Sequence, residues 1–158
     1  MGKVVMEKSP FSKVDQVGVI VKDMDKAIEY YQDLGIGPFK PMGTIAVDRR
    51  VYGKPADNVK NLARIAHLGN VELELLQPIS GESIQRQSLE RHGEGIDHLG
   101  FFVDDIDKET ARLVEKGFKV ISSGKYVGGG GFALFDTDKV GGVLFELVQR
   151  PPHLAGKT

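Results

Sequence analysis

The chain lacks cysteine altogether and has no marked excess of charge of either sign. Without cysteine, disulfides, thiolate zinc sites and a cysteine nucleophile are all excluded. The 21 basic and 22 acidic residues leave a formal net charge of −1, so no broad electrostatic field favours nucleic acid or an anionic membrane. Local charge still allows a small anionic ligand.

Long hydrophobic runs are also absent. No apolar run approaches the roughly 20 residues that a membrane-spanning helix needs, and the segment Met1–Lys13 has no signal-peptide hydrophobic stretch. We therefore expect a cytoplasmic protein without membrane contact. Hydrophobic residues still make up 41% of the 158 residues, which is enough for a sizeable core.

An internal repeat is the main positive feature of the sequence. The stretch Val14–Lys26 returns as Ile96–Lys108, and Gly69–Gln77 returns as Gly141–Gln149. Each copy places β-branched and apolar residues of strand type before an amphipathic helical segment. The repeat predicts two copies of one supersecondary unit that pack about a pseudo-twofold axis.

Each copy is predicted to begin with a strand and a capped helix. In the first copy, a strand over 14–21 leads to Asp23 as helix N-cap, with Gly35 as the stop. In the second copy, a strand over 96–103 leads to Asp105 as the cap, with Gly117 as the stop. Three further strands are expected in each copy. In the first copy they are a weak strand within 38–47 and strands over 62–68 and 71–77, and in the second copy they are strands over 119–122, 132–135 and 143–149.

The predicted fold class is therefore α+β: two βαβββ modules forming a cupped, mixed β-sheet barrel with flanking helices. A helix over 80–92, capped by Ser80 or Ser83 and stopped by Gly93, is expected to connect the modules. The polar segment 48–60 has no clear period and is expected to be a long loop.

Four polar residues fall at matched positions of the repeat. Gln16 corresponds to His98, and Glu74 corresponds to Glu146. Taken singly, a glutamate that alternates with leucine usually faces solvent, and a lone histidine is usually a hydrogen-bonded core residue. Duplication, however, predicts that the four side chains converge on the pseudo-twofold axis.

Such a set has the chemistry of a metal site. Two carboxylates balance a divalent charge, and one imidazole and one amide oxygen complete four protein ligands, leaving positions for water or substrate. Oxygen and nitrogen donors without thiolate favour Co, Mn, Ni, Zn or Mg over Cu(I) or an iron–sulfur cluster.

Several segments carry a more specific resemblance, which covers about Phe11 to Arg150. The chain resembles the vicinal oxygen chelate superfamily (glyoxalase, bleomycin resistance and dioxygenase proteins), and within it most resembles the methylmalonyl-CoA epimerases and related glyoxalase-like proteins. The segments that carry it are 52–55, 74–78, 81–83, 92–98 and 142–147.

The resemblance implies a single vicinal oxygen chelate domain over 1–158. Its first module spans 12–79, its connecting helix 80–95 and its second module 96–150. The family's metal ligands fall at Gln16, Glu74, His98 and Glu146, and the last glutamate is also implicated as the catalytic base. The family's usual oligomeric state, a homodimer, is expected here as well.

The activity implied is that of a metal-dependent isomerase that abstracts a proton α to a thioester, with an acyl-CoA or another thioester or thiol adduct as substrate. Arg64, Lys54 and Tyr52 are the candidate substrate-binding residues, and Arg49 and Lys60 are further basic residues that could meet the substrate carboxylate or the phosphates of coenzyme A. The alternatives are a glyoxalase-like lyase acting on a thiol adduct and a ligand-sequestering protein without chemistry.

Two departures from the family pattern stand out. The first ligand position is usually histidine, and Gln16 is a weaker neutral donor. The epimerases carry a second glutamate on the strand before the Glu74 hairpin, where this chain has Arg64 or a neighbour, and arginine cannot act as a base at ordinary pH. Glu72, His67, Tyr52 or a bound water remain as substitutes.

Overall fold

The computed structural model describes residues 8–156, which form one ten-stranded mixed sheet with three α-helices in the described part of the chain. Among these residues, no helix is long and apolar enough to cross a lipid bilayer. The strands are β1 (Gln16–Ile20), β2 (Lys40–Pro41), β3 (Ala46–Val51), β4 (Lys54–Pro55), β5 (Lys60–Leu68), β6 (Val71–Ser80), β7 (Gly95–Phe102), β8 (Val120–Tyr126), β9 (Gly131–Phe135) and β10 (Leu144–Gln149), and the helices are α1 (Met24–Asp33), α2 (Ile84–His92) and α3 (Ile106–Glu115).

The strand order reproduces the sequence repeat. One half of the sheet runs β2-β5-β6-β1 and the other runs β7-β10-β9-β8, and the halves meet where β1 pairs antiparallel with β7. Within the halves, β1 pairs parallel with β6 and β7 pairs parallel with β10. The curled mixed sheet with flanking helices confirms the predicted α+β fold.

The helix starts also repeat. Asp23 accepts a hydrogen bond from Lys26 N (3.1 Å), and Asp105 accepts one from Lys108 N (3.0 Å), so both predicted caps are confirmed. For the connecting helix α2, the cap is Ser83, which accepts from Arg86 N at 3.0 Å.

Each half has its own hydrophobic cluster beneath its helix. The first cluster centres on Val21, Met24, Leu73 and Leu75, with α1 residues packed on it. The second cluster, under α3, has five buried members: Phe101, Leu113, Ala133, Phe135 and Leu147. Burial of these apolar faces holds α1 and α3 against the sheet.

The prediction of a long loop over 48–60 is wrong. This segment contains most of β3 and all of β4, and β3 pairs antiparallel with β8 of the other half. Of the weak strand expected within 38–47, only Lys40–Pro41 and the start of β3 are extended. The hydrophobic period failed here because β3 is a polar strand near the sheet edge, interrupted at Asp48, where φ is +49°.

Candidate metal centre

Strand pairing brings the four matched residues together at the centre of the sheet. On β1, Gly18 lies between Glu74 of β6 and His98 of β7. On β7, Gly100 lies between Gln16 of β1 and Glu146 of β10. The two arrangements are related by the pseudo-twofold axis. All four side chains therefore lie on the four neighbouring strands β6, β1, β7 and β10.

The donor atoms converge on the His98 imidazole. Its Nε2 lies 3.0 Å from Gln16 Oε1, 3.3 Å from Glu74 Oε2 and 3.9 Å from Glu146 Oε1. All four residues are buried, with Glu146 the most exposed at 9%. The structure thus brings together the residues that the sequence predicted to converge, on one small polar site inside the sheet.

Two glycines make this convergence sterically feasible. A Cβ on Gly18 would lie 2.1 Å from His98 Cε1, and a Cβ on Gly100 would lie 2.9 Å from Gln16 Cβ. Neither glycine has a positive φ, so each is required for space rather than for backbone conformation. Because Gly18 and Gly100 have no side chain, they leave a space, here called the cradle, in which the His98 imidazole and the Gln16 amide lie.

The site concentrates negative charge. Burial raises the pKa of Glu146 to about 7; the His98 charge opposes this rise, and the Glu74 charge adds to it. Burial alone would lower the pKa of His98, but the Glu146 charge and hydrogen bonds to Asp97 and Glu74 outweigh it and hold that pKa well above its ordinary value. Without another cation, a buried imidazolium is therefore the counter-charge for the carboxylates.

The donor set suits a divalent cation. Two ligands at right angles, each about 2.1 Å from a cation, lie about 3.0 Å apart, close to the separations of His98 Nε2 from Gln16 and Glu74. Among residues 8–156, no three His, Asp or Glu side chains are already set around one point as metal ligands. Gln16, Glu74, His98 and Glu146 would be the ligands of such a cation, and its charge would offset that of the two carboxylates.

A β-bulge adds a further carboxylate beside the imidazole. Gly18 pairs with His98, whereas Val19 pairs with Ile96, so Asp97 is the extra residue of β7. The bulge lets Asp97 and His98 point to the same side, although consecutive strand residues normally alternate. Asp97 Oδ2 lies 3.1 Å from His98 Nδ1.

A chain of amides holds this carboxylate. Gln85 of α2 donates from Nε2 to Asp97 Oδ2 (3.3 Å) and accepts at Oε1 from Asn61 Nδ2 (3.1 Å). An anionic Asp97 accepts the Nδ1 proton of His98, so a neutral imidazole would present its Nε2 lone pair to a cation. The equivalent residue of the first half, Asp15, instead accepts from Phe102 N at 2.8 Å.

We expect the Asp97→Asn variant to bind a divalent cation about tenfold to a hundredfold more weakly, because the amide can donate to Nδ1 and favour the Nε2–H tautomer. Titration with Co²⁺ measures the affinity, and histidine ¹⁵N shifts report the tautomer. Asp15→Asn is the matched control, since it changes the repeat-equivalent carboxylate without touching His98. Equal Co²⁺ affinity in wild type and Asp97→Asn would show that Asp97 does not orient the imidazole.

Two cavities open onto the site. One, of about 450 Å³, is lined by Gln16, Glu72 and Glu146. The other, of about 260 Å³, is lined by Glu74, His98 and Glu146. Glu146 and Tyr126 line both, so the candidate base lies where the two spaces meet.

The three predicted substrate-binding residues are placed differently. Arg64 lines the 260 Å³ cavity and donates from Nη1 to Ala63 O (2.8 Å). Tyr52 is 56% exposed and donates its hydroxyl hydrogen to Gln87 Oε1 (2.9 Å), and Lys54 is exposed on β4. Neither Tyr52 nor Lys54 lines either cavity.

Sequence reasoning missed some residues of the site. Asp97 and Gln85 were overlooked because a bulge and a side-chain relay leave no periodic signal. Glu72, which the sequence offered only as a substitute base, accepts from Gln16 Nε2 at 3.1 Å and thereby orients the amide oxygen toward His98. One clue was available: the repeat places Leu144 where the first half has Glu72, and such a mismatch marks a residue with a local role.

The fold is that of a known class of proteins. A family model described as the glyoxalase/bleomycin resistance protein/dioxygenase superfamily matches residues 15–135. The match covers most of the chain, and the protein belongs to this superfamily. The resemblance inferred from the sequence is therefore confirmed.

Within the superfamily, the chain is similar to methylmalonyl-CoA epimerases. It is 28% identical over 149 residues to the mouse mitochondrial methylmalonyl-CoA epimerase, covering 90% of this chain and 78% of that protein. The crystal structure of the Mycobacterium tuberculosis methylmalonyl-CoA epimerase matches with a TM-score of 0.65 and 25% identity, covering 96% of this chain and 97% of that one. A Streptomyces coelicolor epimerase variant in complex with 2-nitronate-propionyl-CoA shares the fold, with a TM-score of 0.62, 24% identity and coverage of 87% and 96%.

Proposed function

We propose that the protein is a divalent-metal-dependent isomerase that removes and returns the proton α to a thioester, in the manner of a methylmalonyl-CoA epimerase. The observation that carries this proposal is the convergence of Gln16, Glu74 and Glu146 on His98 Nε2, where two cavities meet. The similarity to methylmalonyl-CoA epimerases supports the same reaction type.

Gln16, Glu74, His98 and Glu146 would hold the metal ion. When bound, a divalent cation supplies Lewis acidity that stabilises negative charge on substrate oxygens as the α-proton leaves. The chain's own contribution is to hold the donors on adjacent strands and to exclude water from their buried side. Asp97 and Glu72 keep His98 and Gln16 in the orientations that ligation needs.

Glu146 is the proposed base. A carboxyl group with a pKa near 7 is well matched to proton transfer at neutral pH, and burial raises the pKa of Glu146 to about 7. Glu146 lines both cavities, so a substrate that spans them would pass beside this side chain.

Epimerisation also needs a group that returns the proton from the opposite face. Glu72 is the other carboxylate that lines the 450 Å³ cavity, and Gln16 lies between it and His98. We assign the second proton-transfer role to Glu72. Arg64 is the predicted substrate contact that this arrangement supports, because it lines the 260 Å³ cavity beside the metal donors.

Exchange of the C2 proton of methylmalonyl-CoA with deuterated water tests the proposal. We expect the metal-loaded protein to incorporate deuterium and to interconvert the two C2 epimers, because Glu72 and Glu146 line the same cavity. Parallel incubation with a glutathione hemithioacetal separates this activity from a glyoxalase-like lyase. Tight thioester binding without exchange would instead identify a ligand-sequestering protein.

A further inference from the structure

A second β-bulge aims an arginine at the candidate site. On β3, Val47 pairs with Lys125 and Arg50 pairs with Ser123, so three steps along β3 match only two along β8. Asp48, with φ of +49°, absorbs the extra residue. As a result, Arg49 lines the 260 Å³ cavity together with Glu74, His98 and Glu146.

The neighbouring Arg50 points elsewhere. It is exposed, donates from Nη1 to Gly53 O (3.3 Å) and forms an ion pair with Asp48 (3.6 Å). Two consecutive arginines on one strand therefore have different surroundings, and only Arg49 faces the metal donors.

An aromatic ring supports Arg49 from below. The guanidinium carbon lies 5.5 Å from the centre of the Phe132 ring, which is within cation–π range. Gly124 makes room for this ring, because a Cβ there would lie 2.6 Å from Phe132 Cε1. Gly124 of β8 and Phe132 of β9 thus together position the ring beneath the Arg49 guanidinium.

The guanidinium has unused hydrogen-bonding capacity. Within residues 8–156 it forms no hydrogen bond and no ion pair, although Glu146 borders the same cavity. Burial lowers the pKa of Arg49, while electrostatic interactions with Tyr126 and Glu146 oppose this shift, as expected for a partly desolvated cation near the Glu146 carboxylate but out of contact with it. Five N–H donors in a fixed plane are well suited to a bidentate carboxylate.

The charge balance points to an anionic ligand. A divalent cation would balance the Glu74 and Glu146 carboxylates, and Arg49 in the 260 Å³ cavity would then balance the buried Asp97 carboxylate. Arg64 adds a second positive charge there, with one of its N–H groups already donated to Ala63 O. A carboxylate offers two oxygens, so it can accept from an arginine and still present an oxygen to the metal donors' side.

We propose that Arg49 binds the free carboxylate of the substrate and so selects acyl thioesters that carry a second carboxylate over those that do not. This inference rests on the proposed function, because it assumes that a thioester occupies the two cavities. It adds a specificity-determining residue on β3, a strand outside the repeated positions that supply the metal donors.

Isothermal titration of the metal-loaded protein with methylmalonyl-CoA and with propionyl-CoA tests the proposal, since the two differ by one carboxylate. We expect Arg49→Met to weaken methylmalonyl-CoA binding about tenfold to a hundredfold and to leave propionyl-CoA binding within about twofold. Arg49→Lys retains the positive charge but lacks the planar guanidinium, so its affinity for methylmalonyl-CoA should lie between those of wild type and Arg49→Met. Arg50→Met is the matched control and should bind both thioesters as wild type does.

Unchanged propionyl-CoA binding also shows that the variants are folded. Equal preference for methylmalonyl-CoA in wild type and Arg49→Met would overturn the inference, as would an equal loss in Arg50→Met or a wild type without any preference. Deuterium exchange, measured separately, keeps the two proposals distinct. Exchange with unaltered selectivity contradicts only the Arg49 role, whereas Arg49-dependent binding without exchange contradicts only the isomerase.

Discussion

The Glu146→Gln variant should lose α-proton exchange by a factor of about 10² to 10⁴, because its amide cannot accept the proton while it still fills the same space. The amide oxygen remains a neutral donor, so the variant should keep weakened metal binding. Deuterium incorporation into methylmalonyl-CoA at saturating metal separates the loss of the base from the loss of a ligand.

Glu115→Gln is a suitable control for this change. Glu115 ends α3 on the surface, so the same substitution there alters net charge equally without reaching the cavities. Exchange by Glu146→Gln within a few-fold of wild type, at full metal occupancy, would assign the base to another residue.

The Gly18→Ala variant should lose most of its metal affinity, with a further decrease in the free energy of unfolding of about 1 to 3 kcal/mol. The new Cβ would lie 2.1 Å from His98 Cε1, so the imidazole has to leave its position among the donors. Alanine is compatible with the backbone of Gly18, so steric displacement is the expected cause. Co²⁺ titration and chemical denaturation measure the two effects.

Val19→Ala separates site damage from general destabilisation. Val19 lies on the same strand but packs against the hydrophobic cluster under α1, so its truncation should cost up to about 1.5 kcal/mol and leave Co²⁺ affinity unchanged. If Gly18→Ala binds Co²⁺ as tightly as Val19→Ala, His98 has another orientation that still ligates, and the steric account of the cradle is wrong.

The duplication is the reason that the sequence predicted so much of the fold. Equivalent strands must occupy equivalent positions about the axis, so matching Gln16 with His98 and Glu74 with Glu146 was sufficient to predict their convergence. Helix caps were predictable for the same reason, since Asp23 and Asp105 act through contacts only three residues away. The helix caps were thus predictable from local sequence, and the convergence of the four residues was predictable from the symmetry of the repeat.

The features that escaped prediction are departures from symmetry and from strand alternation. Asp15 and Asp97 are equivalent in the repeat, yet one accepts from the backbone of β7 and the other from an imidazole. A bulge in β7 makes this difference, and a bulge in β3 does the same for Arg49. Bulges depend on pairing with a distant strand, so no local period in the sequence signals them.

The central claim is that a divalent cation held by Gln16, Glu74, His98 and Glu146 enables proton transfer at a thioester α-carbon. The most direct measurement compares deuterium incorporation into methylmalonyl-CoA by metal-free protein and by the same protein reloaded with Co²⁺ or Mn²⁺. We predict no exchange above background without metal and full exchange after reloading. Equal exchange in the two samples would contradict a metal-dependent site, and no exchange in either would contradict the proposed reaction.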